Sequence, residues 1–215
     1  MNEKNNSPIG TEKKMKNKKT EKLISKDYLT IGLYSVVEFV VMMVMSMATL
    51  PILAWFYPYA TAFVLFFTCP IYLLMAFKVG KRGTLLLFGA INGLFYAIMG
   101  SVYILPITLL GGLIGEVILA KTNGYRKLGA QTVVFTIYNL LYGFSNYIIL
   151  AISADYYFSV MKNSGYTENH LEYLTNPFWI MVSTAALIVS ICLGCLFGYK
   201  LLNKHFVKAG VIKST

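Results

Sequence analysis

Residues 177–200 read PFWIMVSTAALIVSICLGCLFGYK, from Pro177 to Lys200, and Lys200 is the first charged side chain in the run. An α-helix needs about 20 consecutive apolar residues to cross the hydrocarbon of a bilayer, and this stretch supplies them without interruption. Five more segments of the same kind precede it: Tyr28–Leu50, Tyr59–Phe77, Thr84–Gly100, Val102–Ala120 and Ala130–Ala154. The third and fourth are separated only by a turn near Ser101, so a re-entrant hairpin is the alternative for that pair. Only 13% of the 215 residues are charged, against about 25% in a soluble domain, whose surface must face water. The expected fold is therefore an all-α membrane protein: about six transmembrane helices in one compact bundle, with N- and C-termini cytoplasmic.

Charge distribution supplies the orientation. Eighteen of the nineteen lysines and arginines fall on one side if the N-terminus is inside, and Lys162 alone falls outside. Positive charge collects on the cytoplasmic side of membrane proteins, so residues 1–27 read as a disordered basic cytoplasmic tail. Residues 28–203 form the six-helix domain, and 204–215 a basic C-terminal tail, also cytoplasmic. The N-terminus lacks the apolar run and cleavage site of a signal peptide. Trp55, Tyr57, Tyr59, Tyr103, Tyr156, Tyr157, Tyr173 and Trp179 fall near the opposite ends of the segments, where an aromatic belt belongs. The longest outer loop, about Asp155–Asn176, carries Asp155, Lys162, Glu168, His170 and Glu172, and is long enough to fold over a pocket mouth.

Several chemistries are excluded or disfavoured. No Gly-x-x-x-x-Gly-Lys-Ser/Thr loop is present, so the chain does not bind ATP by a P-loop. His170 and His205 are the only histidines and both lie outside the spans, which removes the ligands of an intramembrane metalloprotease. No Gly-x-Ser-x-Gly elbow appears. Cys192-x-x-Cys195 has metal-type spacing, but two thiols cannot complete a four-ligand zinc site. Buried packing is the simpler reading of these two and of Cys69. No metal, cofactor or nucleic-acid partner is expected, and the lysine run of the tail sits beside a membrane surface.

Two acids lie inside spans. Glu38 is near the middle of the first segment and Glu116 about one turn from the cytoplasmic end of the fourth. A carboxylate in hydrocarbon costs a few kcal/mol, so it faces the bundle or a wet cavity. Glu38 is suited to a cationic substrate group or a proton, or to a buried bond with Asn92 at similar depth; Glu116, near Lys121, reads as structural. On the fifth segment Asn139, Tyr142 and Asn146 share one helix face. Trp179 and Ser183 share a face of the sixth, and Tyr96 lies in the outer part of the third. Aromatics with a few amides and hydroxyls are what a small-ligand pocket requires, and interhelical bonding is the plainer use of the same residues. Gly89-x-x-x-Gly93 and Gly111-x-x-x-Gly115 permit close helix approach. Gly32 and Ser35 form a smooth patch on the first segment suited to receiving another membrane subunit.

Three strings resemble a known family. Cys69-Pro70-Ile71-Tyr72-Leu73-Leu74-Met75-Ala76, continuing to Lys78-Val79-Gly80-Lys81-Arg82-Gly83, is similar to the second-helix region of the Trep_Strep integral membrane family. Gly111-Gly112-Leu113-Ile114-Gly115-Glu116 resembles its fourth-helix motif, and Lys204-His205-Phe206-Val207-Lys208-Ala209-Gly210-Val211-Ile212 its C-terminal end. Members are regarded as candidate S components of energy-coupling factor (ECF) transporters in the bacterial inner membrane. The resemblance implies a substrate-capturing subunit for a vitamin or similar micronutrient, joined by a membrane T component and two cytoplasmic ATPases. Such a subunit is not itself an enzyme; it topples in the bilayer to carry its outward pocket inward. The docking pattern of S components, Ala-x-x-x-Ala on helix one, is replaced here by Gly32-Leu33-Tyr34-Ser35-Val36, with Gly32 and Ser35 the nearest counterparts. Under this reading Tyr142, Asn146, Trp179 and Ser183 form the pocket wall, with Asn139 beneath and Tyr96 beside it. Two other readings stay open: a proton-coupled exporter of organic cations built on Glu38, and a non-transporting scaffold or sensor.

Overall fold

The computed structural model describes residues 22–161 and 171–207. Six long helices carry the architecture: α1 (Ser25–Thr49), α2 (Leu53–Val79), α3 (Thr84–Ile98), α4 (Ile104–Thr122), α5 (Leu128–Ile152) and α8 (Pro177–Leu201). Two short ones, α6 (Ala154–Met161) and α7 (Leu171–Thr175), lie between α5 and α8. The stretches 25–79, 104–122, 128–152 and 177–204 are long and apolar enough to cross a membrane. The first has 55 residues, about twice what one crossing needs, and the 3-10 turn Leu50–Ile52 divides it into α1 and α2. α3 is shorter, at 15 residues.

Neighbouring helices close a ring in the order α1, α2, α8, α5, α4, α3 and back to α1. The outside of the ring is greasy: Leu29 and Ile152 are each 75% exposed, Met181 72% and Ile98 83%. A soluble protein would bury such side chains; a bilayer accepts them.

The ring's interior differs between its two ends. At the end bearing Lys78, Lys81, Arg82 and Lys121, buried aromatic and aliphatic side chains pack it. Tyr72 stacks on Phe135 with ring centroids 4.0 Å apart, and Phe77, Phe88, Leu85 and Met75 close around them, all buried. At the opposite end Leu150, Tyr157 and Leu174 form a second, smaller core with Tyr57 and Tyr147 packed against it. Between these two plugs the bundle is hollow.

Local chemistry explains the element boundaries. Asp27 accepts the Ile24 N–H at 2.9 Å, opening α1, and pairs with Lys81 Nζ at 2.6 Å, which ties α1 to the α2–α3 turn. That turn needs glycine on both sides, Gly80 at φ +57° and Gly83 at φ +93°, where a β-carbon would be strained. α2 begins at Leu53 rather than at Tyr59, so Pro58 lies inside the helix. A proline there withholds the N–H that would bond the carbonyl four residues back. That carbonyl, Ala54 O, instead accepts the Tyr173 hydroxyl of α7 at 3.4 Å.

Glycines set how near the helices come. Across α3 and α4, Gly89 and Gly93 face Thr108 and Leu105, and Gly112 faces Leu85 and Leu86. Across α2 and α8, Gly194 and Gly198 lie against Cys69, Phe66 and Pro70. The Ser190 hydroxyl bonds Ala62 O, and Cys69 Sγ reaches Ile191 O at 3.8 Å, along the same seam. Cys195 is buried there and Cys192 is exposed; all three cysteines are free.

Candidate functional site

The hollow between the plugs is a cavity of about 360 Å³, within the range of small-molecule sites. Each ring helix contributes to it. α1 presents Glu38, Phe39, Met42 and Met43; α2 presents Tyr57, Thr61, Val64 and Thr68. α3 contributes Asn92 and Tyr96, and Ile104 stands at the start of α4. Tyr138, Asn139, Tyr142 and Asn146 come from α5, with Ser183, Thr184 and Leu187 from α8. Tyr157, Val160 and Leu174, from α6 and α7, cover the end away from the lysines.

The side chains singled out by sequence are distributed as follows. Tyr96, Asn139, Tyr142, Asn146 and Ser183 all line this cavity, and so does Glu38. Spacing along α5 accounts for three of them, since positions 139, 142 and 146 return to one face. Trp179 is not part of the wall. It stands one ring behind, edge-on to Tyr173 at 5.1 Å, and Tyr173 stacks on the lining residue Tyr57 at 5.5 Å. Gly32 and Ser35 do not make one smooth outer patch. Positions three apart lie only about 60° apart around a helix, yet Gly32 has open space around it while Ser35 is fully buried. Lys162, Glu168 and His170 fall outside the described residues.

Hydrogen bonding divides the lining groups. Asn139 Nδ2 donates to Phe135 O at 2.8 Å, Ser183 Oγ to Trp179 O at 2.8 Å and Thr68 Oγ1 to Leu65 O at 3.3 Å. These bonds stay within one helix. Asn146 Oδ1 accepts the Tyr103 hydroxyl at 3.1 Å, linking α5 to the turn before α4. Burial, and then Tyr156 beside it, push the Tyr103 phenol up to about 12, so it remains a donor. Glu38 accepts Asn92 Nδ2 at 3.3 Å. The aromatic wall is continuous: Tyr96 lies 5.1 Å from Tyr142 and 6.2 Å from Phe39, edge to face, and its hydroxyl meets Met42 Sδ at 3.0 Å.

Glu116 sits in the other half of the molecule. Its Oε1 accepts Leu85 N at 2.7 Å in the first turn of α3, where backbone N–H groups have no helical partner. Its Oε2 accepts the Tyr125 hydroxyl at 3.0 Å. Burial, then the carboxylate's charge, raise the Tyr125 phenol above its usual value. Gln131 extends the chain, accepting from Tyr72 at 2.6 Å and donating to Tyr125 O at 2.9 Å.

Sequence reasoning missed the α1 wall. Phe39, Met42, Met43 and Met47 follow Glu38 at helical spacing and all line the cavity. The signal was in the string Val40-Val41-Met42-Met43-Val44-Met45-Ser46-Met47, since methionine supplies an adaptable apolar surface. It also missed Tyr138 and the Gly194-x-x-x-Gly198 seam.

Residues 25–208 match the model of a family described as hypothetical bacterial integral membrane protein, Trep_Strep. No curated protein and no solved structure matches the chain.

Proposed function

The chain belongs to that family of multi-pass bacterial membrane proteins, and from this premise we propose that it is the substrate-binding S component of an ECF-type importer. One observation carries the reading: a covered cavity of about 360 Å³ sits at the end of the bundle away from the lysines, in a chain with no nucleotide-binding loop. With the lysines cytoplasmic, the cavity faces outward. It captures a vitamin-sized micronutrient, while a T component and two cytoplasmic ATPases supply the work. The protein itself performs no chemistry on its cargo.

Two measurements test this. The full-length chain, purified in lipid nanodiscs, is expected to hold one small molecule tightly without nucleotide, identified by mass spectrometry of what co-purifies. Tyr142→Ala removes an aromatic wall element and is expected to weaken that binding about tenfold, with thermal unfolding unchanged. In vesicles, uptake is expected only when T component and ATPases are added. Uptake by this chain alone would sink the proposal. The proton-coupled exporter draws support from Glu38 lying in the cavity. It wins if the chain alone exports organic cations down a pH gradient and Glu38→Gln abolishes that flux.

A further inference from the structure

We infer that the cavity is built for a small, flat organic monocation carrying N–H donors, seated on Glu38 between aromatic faces. This rests on the capture reading and names its substrate class. Among the described lining residues Glu38 is the single charged side chain, with no lysine, arginine or histidine beside it. An anionic ligand would meet a carboxylate with no countercharge in a water-poor interior, where such repulsion is strong.

Glu38 also has capacity to spare. A carboxylate offers about four acceptor positions, and this one accepts a single long bond, from Asn92 at 3.3 Å. Asn139, Ser183 and Thr68 spend hydroxyl or amide hydrogens on carbonyls of their own helices. The unmet demand at the cavity's depth is therefore for hydrogen-bond donors, and for positive charge. Glu38 stands at mid-helix in α1, where an isolated carboxylate is expensive and is kept for a function. Phe39, Tyr96 and Tyr142 line the same space, and aromatic rings attract cations and stack flat groups.

Three probes of one size and shape separate charge from fit: benzamidine (cation), benzamide (neutral) and benzoate (anion), titrated by calorimetry onto the full-length chain in nanodiscs. Benzamidine is expected to bind most tightly, benzamide more weakly and benzoate not measurably. Glu38→Gln keeps the shape, and should weaken benzamidine roughly 10- to 100-fold, the span of a charge-assisted bond, while leaving benzamide unchanged. Benzoate binding as well as benzamidine, an unchanged benzamidine affinity in folded Glu38→Gln, or no binding by any probe would each overturn the inference. The wild-type ranking stands even if the variant does not fold. Failure here leaves the capture reading intact, because that reading depends on partner-driven uptake and not on the sign of the cargo.

Discussion

Glu116→Ala is expected to destabilise the protein by about 3–4 kcal/mol, because it strands two buried donors at roughly 1–3 kcal/mol each. The Leu85 N–H loses its partner at 2.7 Å and the Tyr125 hydroxyl its partner at 3.0 Å. Neither has water to turn to, since Glu116 is 7% exposed and Tyr125 also 7%. The damage reaches further, because Tyr125 O holds Gln131 and Gln131 holds Tyr72. One carboxylate thus joins α3 and α4 to the α4–α5 turn, and through Gln131 to α5 and α2. Glu116→Gln retains an acceptor for Leu85 and is expected to lose less than half as much. Denaturation in mixed micelles, with Tyr125→Phe completing a double-mutant cycle, measures both. A Glu116→Ala protein within 1 kcal/mol of wild type would remove the network from the account of stability.

The second large effect is steric. A β-carbon on Gly112 would lie 2.9 Å from Leu85 O and 3.0 Å from Leu86 Cα, both backbone atoms. Main chain cannot swing aside as a side chain can, so the α3–α4 hairpin must part. Gly112→Leu is expected to cost about 3 kcal/mol or more, the upper range for overpacking. Gly32→Leu, where nothing stands within 4 Å, is expected to stay within about 0.5 kcal/mol. Equal effects at the two positions would mean that helix propensity, and not close approach, governs both.

The contrast marks how far sequence could be read. Hydropathy located the helices because the bilayer acts on each segment separately: α8 starts at Pro177 and α3 at Thr84, where the sequence alone places them. The start of α2 was illegible. The apolar segment opens only at Tyr59, and only the folded chain brings Tyr173 to the carbonyl that Pro58 leaves open. Within α5, periodicity put Asn139, Tyr142 and Asn146 on one face, and they share the cavity. Trp179 and Ser183 also share a face, yet only Ser183 reaches the space. Spacing tells which residues travel together, but not how deep a neighbouring helix sits. Glu116 was recognisable as an acid near the lysines. That it would answer a backbone N–H on α3 depends on tertiary register, which no local pattern encodes.

The brevity of α3 has a consequence for the surrounding lipid. Fifteen residues rise about 22 Å, against a hydrocarbon slab of about 30 Å. The helix begins two residues after Arg82, a side chain that belongs among headgroups, so the shortfall of about 8 Å accrues at the far end, near Gly100 and Ser101. Ser101 borders the cavity. A bilayer meets so short a helix by thinning beside it, by snorkelling of its flanking side chains or by a further subunit packed against it, so this flank is where the protein and its surroundings have to adjust to one another.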